Sequence, residues 1–253
     1  MSLSGKVALV TGASRGIGKT VAEKLAREGA RVVVAARGEA ALEKVATAID
    51  GVAVPMDVAD GESIERGLAD VLAQLGQIDI LVPNAGVSDS APYDRTTDEM
   101  WAWMMAVNAQ SVLRLCRRLV PPMVAAGWGR VVIVASNAGL TGYPYTSAYC
   151  ASKHAVLGLM RAMALEVART PVTVNAVCPG WVETPMTETT IERIVASTGR
   201  TVDEAKRSLE KMSPQHRMVH VDEVAALVVS LCAESSRGIH GQAIALDGAQ
   251  TMR

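Results

Sequence analysis

The chain has 253 residues, and its 25 basic and 26 acidic side chains give a formal net charge of −1 at neutral pH. It has no basic tail and no long run of like charge, so nothing favours nucleic acid or an anionic membrane as a partner. Phe is absent and aromatic residues make up 3%, so a core must be built from aliphatic residues. Neither a secretory leader nor an apolar stretch near the roughly 20 residues of a membrane span is visible, which predicts a soluble protein.

The cysteines are too widely separated to indicate a metal site. They form neither a CxxC pair nor a cluster with histidines, and stand at Cys116, Cys150, Cys178 and Cys232. Such spacing is typical of unpaired thiols in a reducing compartment. The sequence therefore predicts a cytoplasmic protein without zinc.

Short apolar runs rich in β-branched residues alternate with longer segments of helical periodicity. The predicted strands are Val7–Val10, Arg31–Ala35, Val52–Pro55, Ile78–Val82, Arg130–Ala135, Val172–Val177 and Ala243–Leu246. The predicted helices are Val21–Glu28, Ala40–Ile49, Glu62–Leu75, Glu99–Ala126, Ser147–Ala168 and Asp222–Cys232. Apolar strands separated by amphipathic helices are typical of a parallel sheet covered on both faces. This pattern predicts an α/β fold with a doubly wound parallel sheet, in one Rossmann-type domain spanning residues 1–253.

One segment, Pro179–Pro214, interrupts this alternation after the sixth strand and is rich in Thr, Glu and Arg. Two short helices are predicted within it, Ile191–Ser197 and Val202–Met212. Inserts of this length in a compact domain often carry a binding function. We expect residues 181–214 to form a substrate-binding lid.

The first strand leads directly into a glycine-rich turn, TGASRGIG, which is followed by a helix. Gly12, Gly16 and Gly18 suit a tight turn, close approach of the backbone to a pyrophosphate, and close contact between helix and strand. The helix N-terminus adds partial positive charge. A glycine-rich turn without a ligand is the alternative. The dinucleotide contacts predicted in this turn are Gly12, Ser14, Arg15, Gly16, Ile17 and Gly18.

The end of the second strand indicates which dinucleotide is bound. Enzymes that use NAD place an acidic residue there, where it accepts hydrogen bonds from the adenosine ribose. This chain has Arg37 instead, with no carboxylate before Glu39, and a second guanidinium at Arg15. Two arginines can pair with a 2′-phosphate, which favours NADP(H) over NAD(H). The alternative is that both arginines are solvated surface groups.

An ordered set of motifs extends from the first strand to Leu246-Asp247-Gly248. It comprises the glycine turn, Asn84-Ala85-Gly86 after the fourth strand, Asn108 on a helix, Ser136 after the fifth strand, and Tyr149-Cys150-Ala151-Ser152-Lys153. In this order and spacing, the chain resembles the short-chain dehydrogenase/reductase family. The resemblance implies an oxidoreductase that acts on CH–OH groups with a nicotinamide cofactor, and a homotetramer.

Tyr149 and Lys153 are four residues apart, so on one helix their side chains share a face. An ammonium beside a phenol favours the phenolate, so we expect Lys153 to lower the pKa of Tyr149, which then acts as general acid or base. Ser136 is predicted to hydrogen-bond the same substrate oxygen. The resemblance implies that Asn108 helps to hold a water linked to Lys153, and that Lys153 also holds the nicotinamide ribose. Taken singly, each residue has a plainer alternative: a turn serine, an asparagine that satisfies backbone groups, and a solvated helix lysine.

The resemblance extends to further cofactor contacts. Asp57 matches the family's adenine-contacting acid, although a turn-capping Asp is an alternative. The strand-end motif beside the cofactor is preceded here by Pro83, where Asn is common. The segment after the sixth strand matches the one that meets the nicotinamide carboxamide. The remaining predicted contacts are Asp57, Val58, Asn84, Ala85, Gly86, Pro179, Gly180, Val182 and Thr184, together with Tyr149 and Lys153.

The segments around the sixth strand resemble 3-oxoacyl reductases that act on acyl carrier protein and the ketoreductases of aromatic polyketide synthesis. The first prediction is therefore NADPH-dependent reduction of the 3-keto group of an acyl thioester, on acyl carrier protein or CoA. Lid arginines could receive an acidic carrier or a CoA phosphate, or alternatively form a solvated face with neighbouring glutamates; they are Arg193, Arg200 and Arg207.

Three other functions stay open. The first is a dehydrogenase of secondary alcohols, cyclic ketones or polyketides. The second is a 3-hydroxybutyrate dehydrogenase, which Pro179-Gly180-Trp181-Val182 also resembles. A small hydroxy acid needs polar or cationic groups for its carboxylate, whereas this chain has Ser88, Ala138 and Thr146 at those places. The third is a non-catalytic NADP-binding sensor, which would have no need to keep the serine, tyrosine and lysine.

Overall fold

Seven strands form one parallel sheet in the computed structural model, which describes residues 2–252. The strands are β1 (Val7–Thr11), β2 (Arg31–Ala36), β3 (Val52–Pro55), β4 (Ile80–Val82), β5 (Gly129–Val134), β6 (Val172–Pro179) and β7 (Ala243–Leu246). Their order is β3-β2-β1-β4-β5-β6-β7, and all neighbouring pairs are parallel. Every predicted strand is present with bounds shifted by at most two residues, so the predicted doubly wound sheet is confirmed.

Helices cover both faces of the sheet. They are α1 (Gly16–Arg27), α2 (Glu39–Ala48), α3 (Gly61–Leu75), α4 (Asp98–Met105), α5 (Ser111–Ala125), α6 (Ser147–Val167), α7 (Pro185–Thr198), α8 (Val202–Glu210) and α9 (Val221–Cys232). Helices α1, α2 and α9 enclose one apolar cluster, and α3, α5 and α6 enclose another. Alternate strand residues supply the two clusters: Leu9 belongs to the second, whereas Ala8 and Val10 belong to the first.

Three helices differ from the prediction. Helix α1 begins earlier than expected, at Gly16 within the glycine turn. The predicted helix Glu99–Ala126 is divided into α4 and α5 by a π turn at Ala106–Gln110. Helix α7 also begins early, because Thr184 caps its N-terminus and a proline occupies the first turn, where no backbone donor is needed.

The strand order places the predicted motifs at one edge of the sheet. The chain continues from β1 to β2 on one side and returns to β4 on the other, so the loops after β1 and β4 diverge. Ligands of doubly wound sheets bind in the crevice at such a switch point, outside the carboxyl ends of the strands. The glycine turn follows β1, Asn84 follows β4, Ser136 follows β5, and Pro179 ends β6, so all four face this edge.

The segment after β6 forms a separate layer above this edge. Helices α7 and α8 pack on a small apolar cluster of Ile191, Ala205, Leu209 and Met218. They occupy most of residues 181–214, for which a lid function stays a prediction. Among residues 2–252, no helix combines the length and the apolar character needed to cross a bilayer.

Candidate active site

The glycine turn after β1 is packed so closely that two of its glycines have no room for a side chain. A Cβ on Gly12 would lie 2.8 Å from Cα of Ala85, and a Cβ on Gly18 would lie 2.5 Å from the carbonyl oxygen of Gly12. Gly12 also has a φ of +66°, a conformation that favours glycine. The turn therefore presents bare backbone at the N-terminus of α1, a cradle that fits a phosphate group.

Asn84 joins the two sides of the crevice. Its side-chain amide donates to the carbonyl oxygens of Thr11 at 2.8 Å and of Gly12 at 3.3 Å. In return, the hydroxyl oxygen of Thr11 accepts from the backbone N–H groups of Asn84 at 3.0 Å and of Ala85 at 3.1 Å. Asn84 therefore shapes the phosphate-binding turn from the neighbouring strand. Thr11, which no sequence pattern singled out for a role, is its partner.

Replacing Gly18 by Ala is expected to destabilise the protein by about 1–3 kcal/mol, because the new methyl group would displace the backbone of Gly12. Affinity for NADPH should fall at least tenfold, since the displaced turn is the predicted pyrophosphate site. Chemical denaturation and cofactor titration measure the two effects. Gly238→Ala is the matched control, because nothing lies within 4 Å of a Cβ there. Unchanged cofactor affinity in Gly18→Ala would contradict the assignment of this turn.

Two predicted arginine contacts follow neighbouring strands at the carboxyl edge. Arg15 follows β1 and Arg37 follows β2, and these strands are direct neighbours. Both side chains are exposed, and within residues 2–252 neither forms an ion pair. Their charges are therefore available to a phosphate.

Asp57 follows β3 on the same edge, with the buried Val58 after it. Its carboxylate accepts from the backbone N–H of Ala59 at 2.9 Å, so Asp57 caps a turn, as the alternative expected. Its backbone N–H donates to the hydroxyl of Ser63 at 3.0 Å. Contact of Asp57 and Val58 with an adenine stays a prediction.

Ser136 begins a short 3₁₀ turn, Asn137–Gly139, after β5. Its hydroxyl oxygen accepts from the backbone N–H of Ala138 at 3.1 Å, so it is indeed a turn serine as well. Ser136 also acts on Tyr149, since its hydroxyl lowers the pKa of the phenol. The turn reaches α6 because Gly139 lies flush against the helix, where a Cβ would come within 2.7 Å of the Lys153 carbonyl oxygen.

Burial governs the ionisation of the tyrosine and lysine on α6. The pKa of Tyr149 is raised, chiefly by burial, while the hydrogen bond to Ser136 acts in the opposite direction. Lys153 is 5% exposed, and burial lowers its pKa to about 8. Its Nζ lies 5.7 Å from the centroid of the Tyr149 ring and 3.4 Å from the carbonyl oxygen of Val134. The expected lowering of the Tyr149 pKa is therefore wrong for the protein alone, because burial of the phenol is the largest influence on its pKa and Lys153 is not among the groups that shift it.

Asn108 lies in the π turn between α4 and α5, and its side chain is buried. Its Oδ1 accepts from the backbone N–H of Val87, and its Nδ2 donates to the Val87 carbonyl oxygen and to the Ser152 hydroxyl, all at 2.9 Å. The side chain thus satisfies backbone groups, as the plainer alternative expected. It positions the loop after β4 against α6. The water-holding role implied by the resemblance stays a prediction.

Gly86 brings this loop close to Lys153. A Cβ on Gly86 would lie 3.3 Å from Oδ1 of Asn108 and 3.6 Å from Nζ of Lys153. Ser152, which was given no role from the sequence, links Asn108 to α6 from the other side. In the sequence, only its position directly before Lys153 points to a role for Ser152.

The segment after β6 connects the lid to the glycine turn. The backbone N–H of Gly180 donates to the last residue of β7 at 3.1 Å, and Val182 forms an isolated bridge with Val219. Thr184 caps α7, and its Cγ2 would lie 3.6 Å from a Cβ on Gly16. The base of the lid therefore adjoins the turn that fits a phosphate.

The predicted residues are thus distributed along one edge of the sheet, from Asp57 after β3 to Pro179 at the end of β6. A ligand with two chemically different ends, such as a dinucleotide, fits this elongated arrangement. In the part of the chain that the structure describes, no three His, Cys, Asp or Glu side chains are grouped so as to hold a metal ion.

The family model described as short chain dehydrogenase matches residues 6–194, and the chain belongs to that family. It is an oxidoreductase that acts on secondary alcohol or ketone groups.

Three individual proteins illustrate the range of its relatives. The chain is 38% identical to D-beta-hydroxybutyrate dehydrogenase of Cupriavidus necator, over 97% of this chain and 98% of that one. It is 34% identical to the 3-oxoacyl-(acyl-carrier-protein) reductase FabG of Haemophilus influenzae, with coverage of 97% and 98%. Among solved structures, a variant of actinorhodin polyketide ketoreductase with NADPH superimposes with a TM-score of 0.94, at 35% identity and over 100% of both chains.

Proposed function

We propose that this protein reduces the 3-keto group of an acyl thioester, carried by acyl carrier protein or CoA, with NADP(H) as its cofactor. The observation that carries the proposal is the grouping of Ser136, Tyr149 and the buried Lys153 at the carboxyl edge of the sheet, where the Ser136 turn packs against α6. Two hydroxyl groups grouped in this way can both reach one substrate oxygen. Carbonyl reduction needs this arrangement, because the oxygen must be held and then protonated.

Arg15 and Arg37 support NADP(H) as the cofactor. Their exposed, unpaired guanidinium groups would hold a 2′-phosphate, and the bare glycine turn would hold the pyrophosphate. Lys153 and the segment 179–184 would hold the nicotinamide half. The solved polyketide ketoreductase contains NADPH, which supports the same choice. Bound NADP(H) supplies the hydride.

Tyr149 gives the proton from its phenolic oxygen in the reductive direction. The raised pKa keeps this group protonated in the free protein, as a proton donor must be. Ser136 orients the substrate oxygen through its hydroxyl. Lys153 is charged at neutral pH, because its pKa is about 8, and its ammonium stabilises the phenolate that remains after proton transfer.

The residues around the site favour a neutral thioester over a free hydroxy acid. Ala138 is buried, and the hydroxyl of Thr146 donates to the Tyr143 carbonyl oxygen at 3.0 Å. Neither these two nor Ser88 offers a cation to a carboxylate. The second candidate is nevertheless oxidation of a 3-hydroxy acid, which the 38% identity to D-beta-hydroxybutyrate dehydrogenase favours.

Two of the three lid arginines suit an acidic carrier or a CoA phosphate. Arg193 donates to the Asp89 carboxylate at 2.7 Å, so its charge is already paired. Arg200 and Arg207 are exposed and flank Glu204 on α8. We therefore place the carrier or the CoA phosphate at Arg200 and Arg207.

A cytoplasmic homotetramer completes the proposal. Helices α4, α5 and α6 expose large apolar side chains at Trp103, Leu113 and Leu165, of which Leu165 is 81% exposed. Pairing of these helices between copies would cover such side chains.

The test is the initial rate of acetoacetyl-CoA reduction with NADPH and with NADH, alongside oxidation of D-3-hydroxybutyrate. We expect fast turnover of the thioester with a strong preference for NADPH, and little turnover of the hydroxy acid.

Arg37→Ala should reduce the preference for NADPH at least tenfold, because a charge-assisted pair to the 2′-phosphate is lost. Arg169→Ala, an exposed arginine after the end of α6, is its control.

Each other outcome rejects a defined part of the proposal. Tight NADPH binding without turnover of acetoacetyl-CoA would reject the thioester and point to secondary alcohols or cyclic ketones. Faster turnover of D-3-hydroxybutyrate than of the thioester would favour the second candidate. A clear preference for NADH would show that Arg15 and Arg37 are surface groups.

A further inference from the structure

Tyr143 lies between the Ser136 turn and α6, seven residues after Ser136 and six before Tyr149. Its side chain is half-buried. The hydroxyl oxygen is shielded from solvent, yet among residues 2–252 it has no hydrogen-bond partner. The backbone is fixed, because the Tyr143 carbonyl oxygen accepts from the Thr146 hydroxyl at 3.0 Å. Buried polar groups almost always have partners, so an unpartnered hydroxyl beside an active site indicates that a ligand group completes it.

The groups around Tyr143 belong to the catalytic end of the crevice. The charge of Asp247 acts on the Tyr143 hydroxyl, and the Asp247 carboxylate accepts from the side-chain amide of Asn137 at 3.5 Å. Asn137 directly follows Ser136. Gln250, three residues after Asp247, carries another shielded atom without a partner, Oε1. The wall formed by the Ser136 turn and residues 247–250 therefore has two unpartnered polar atoms for a ligand, the Tyr143 hydroxyl oxygen and Gln250 Oε1.

The charge on this wall disfavours an anionic ligand. Burial first, and then the Asp247 carboxylate, raise the pKa of Tyr143 to about 12, so the hydroxyl stays a neutral donor at working pH. Asp247 is itself 4% exposed, and within the described chain it has no basic partner. A substrate carboxylate would meet uncompensated negative charge here. A neutral carbonyl oxygen would meet a hydrogen-bond donor.

We propose that the Tyr143 hydroxyl binds a second, neutral carbonyl oxygen of the substrate, beyond the carbonyl that is reduced. This inference rests on the proposed function, in which the reacting ketone lies between Ser136 and Tyr149. In a 3-ketoacyl thioester, the thioester carbonyl lies two carbons from the reacting carbon. Tyr143 is the unpartnered donor on the loop that joins the two catalytic residues. It is thus a specificity-determining residue that favours 3-ketoacyl thioesters over free 3-keto acids and simple ketones.

The test compares wild type and Tyr143→Phe on acetoacetyl-CoA, acetoacetate and pentan-2-one, with NADPH. Tyr143→Phe should raise KM for acetoacetyl-CoA about tenfold with kcat within about twofold, the effect of one lost hydrogen bond to a substrate. Its kcat/KM for pentan-2-one, which has no second carbonyl, should stay within twofold. Tyr145→Phe is the matched control, because this neighbouring tyrosine is 67% exposed. NADPH affinity and thermal unfolding confirm that the variants are intact.

Two results would overturn the inference. One is an equal loss on acetoacetyl-CoA and pentan-2-one, which would assign Tyr143 a structural role. The other is no change on either substrate, which would show that its hydroxyl does not contact the thioester. Failure of the proposed function appears differently, as an absence of acetoacetyl-CoA turnover in the wild-type protein. If wild type reduces acetoacetate as efficiently as the thioester, Asp247 does not disfavour a substrate carboxylate, and the inferred preference for thioesters is overturned.

Discussion

Tyr149→Phe is expected to lower turnover by two or more orders of magnitude, while affinity for NADPH stays within about twofold. The variant loses only the phenolic oxygen, which is the atom that gives the proton to the substrate. Ser136 remains able to hold the substrate oxygen, but its hydroxyl already accepts from the backbone of Ala138. Substrate binding should therefore survive better than turnover.

The measurement is steady-state turnover together with single-turnover rates, so that slow product release cannot conceal a change in the chemical step. Tyr93→Phe is the control, because Tyr93 is 84% exposed and far along the chain from the Ser136 turn. Retention of more than a tenth of the wild-type rate in Tyr149→Phe would reject Tyr149 as the general acid. The Ser136 hydroxyl or a bound water would then have to be the donor.

The sheet could be predicted from the sequence because its signals are local. Runs such as Val7–Val10 are apolar at consecutive positions, which is typical of a strand covered on both faces. The glycine turn was also predictable from the sequence. Close packing leaves no space for a Cβ at positions 12 and 18, and the sequence records this directly by having glycine there. Four-residue spacing placed Tyr149 and Lys153 on one helix, and α6 contains both.

Other features depend on segments that are distant in the sequence. The π turn around Asn108 adds a residue to one helical turn, which hydrophobic periodicity does not resolve. The raised pKa of Tyr149 could not be predicted from the sequence either, because its largest cause is burial, which depends on how distant segments pack around α6. Arg130 is a further case. It begins a predicted strand, but its side chain is 0% exposed and donates to Glu234, which lies 104 residues away.

Lys153→Met is expected to abolish most activity and at the same time to stabilise the fold. Lys153 is 5% exposed, and burial lowers its pKa from 10.5 to about 8, so at pH 7 the folded protein holds a charge that is poorly solvated. At about 1.4 kcal/mol per pKa unit, removal of this charge should raise the free energy of unfolding by about 3–4 kcal/mol at pH 7. Met fills a similar volume without a charge.

The pH dependence gives this prediction its most specific test. Between pH 8 and 10.5, the unfolded chain binds the Lys153 proton more strongly than the folded protein does, so this group makes wild-type stability rise with pH. Below pH 8 its penalty is fully present, and above 10.5 it is gone. The stability advantage of Lys153→Met, measured by urea denaturation, should therefore be largest at pH 7 and shrink as pH rises from 8 towards 10.5. Lys44→Met, on the exposed face of α2, should show no such dependence. An advantage that is constant over this range would mean that better packing, and not the buried charge, stabilises the variant; a loss of stability at pH 7 would mean that the ammonium is well solvated or paired in the folded protein.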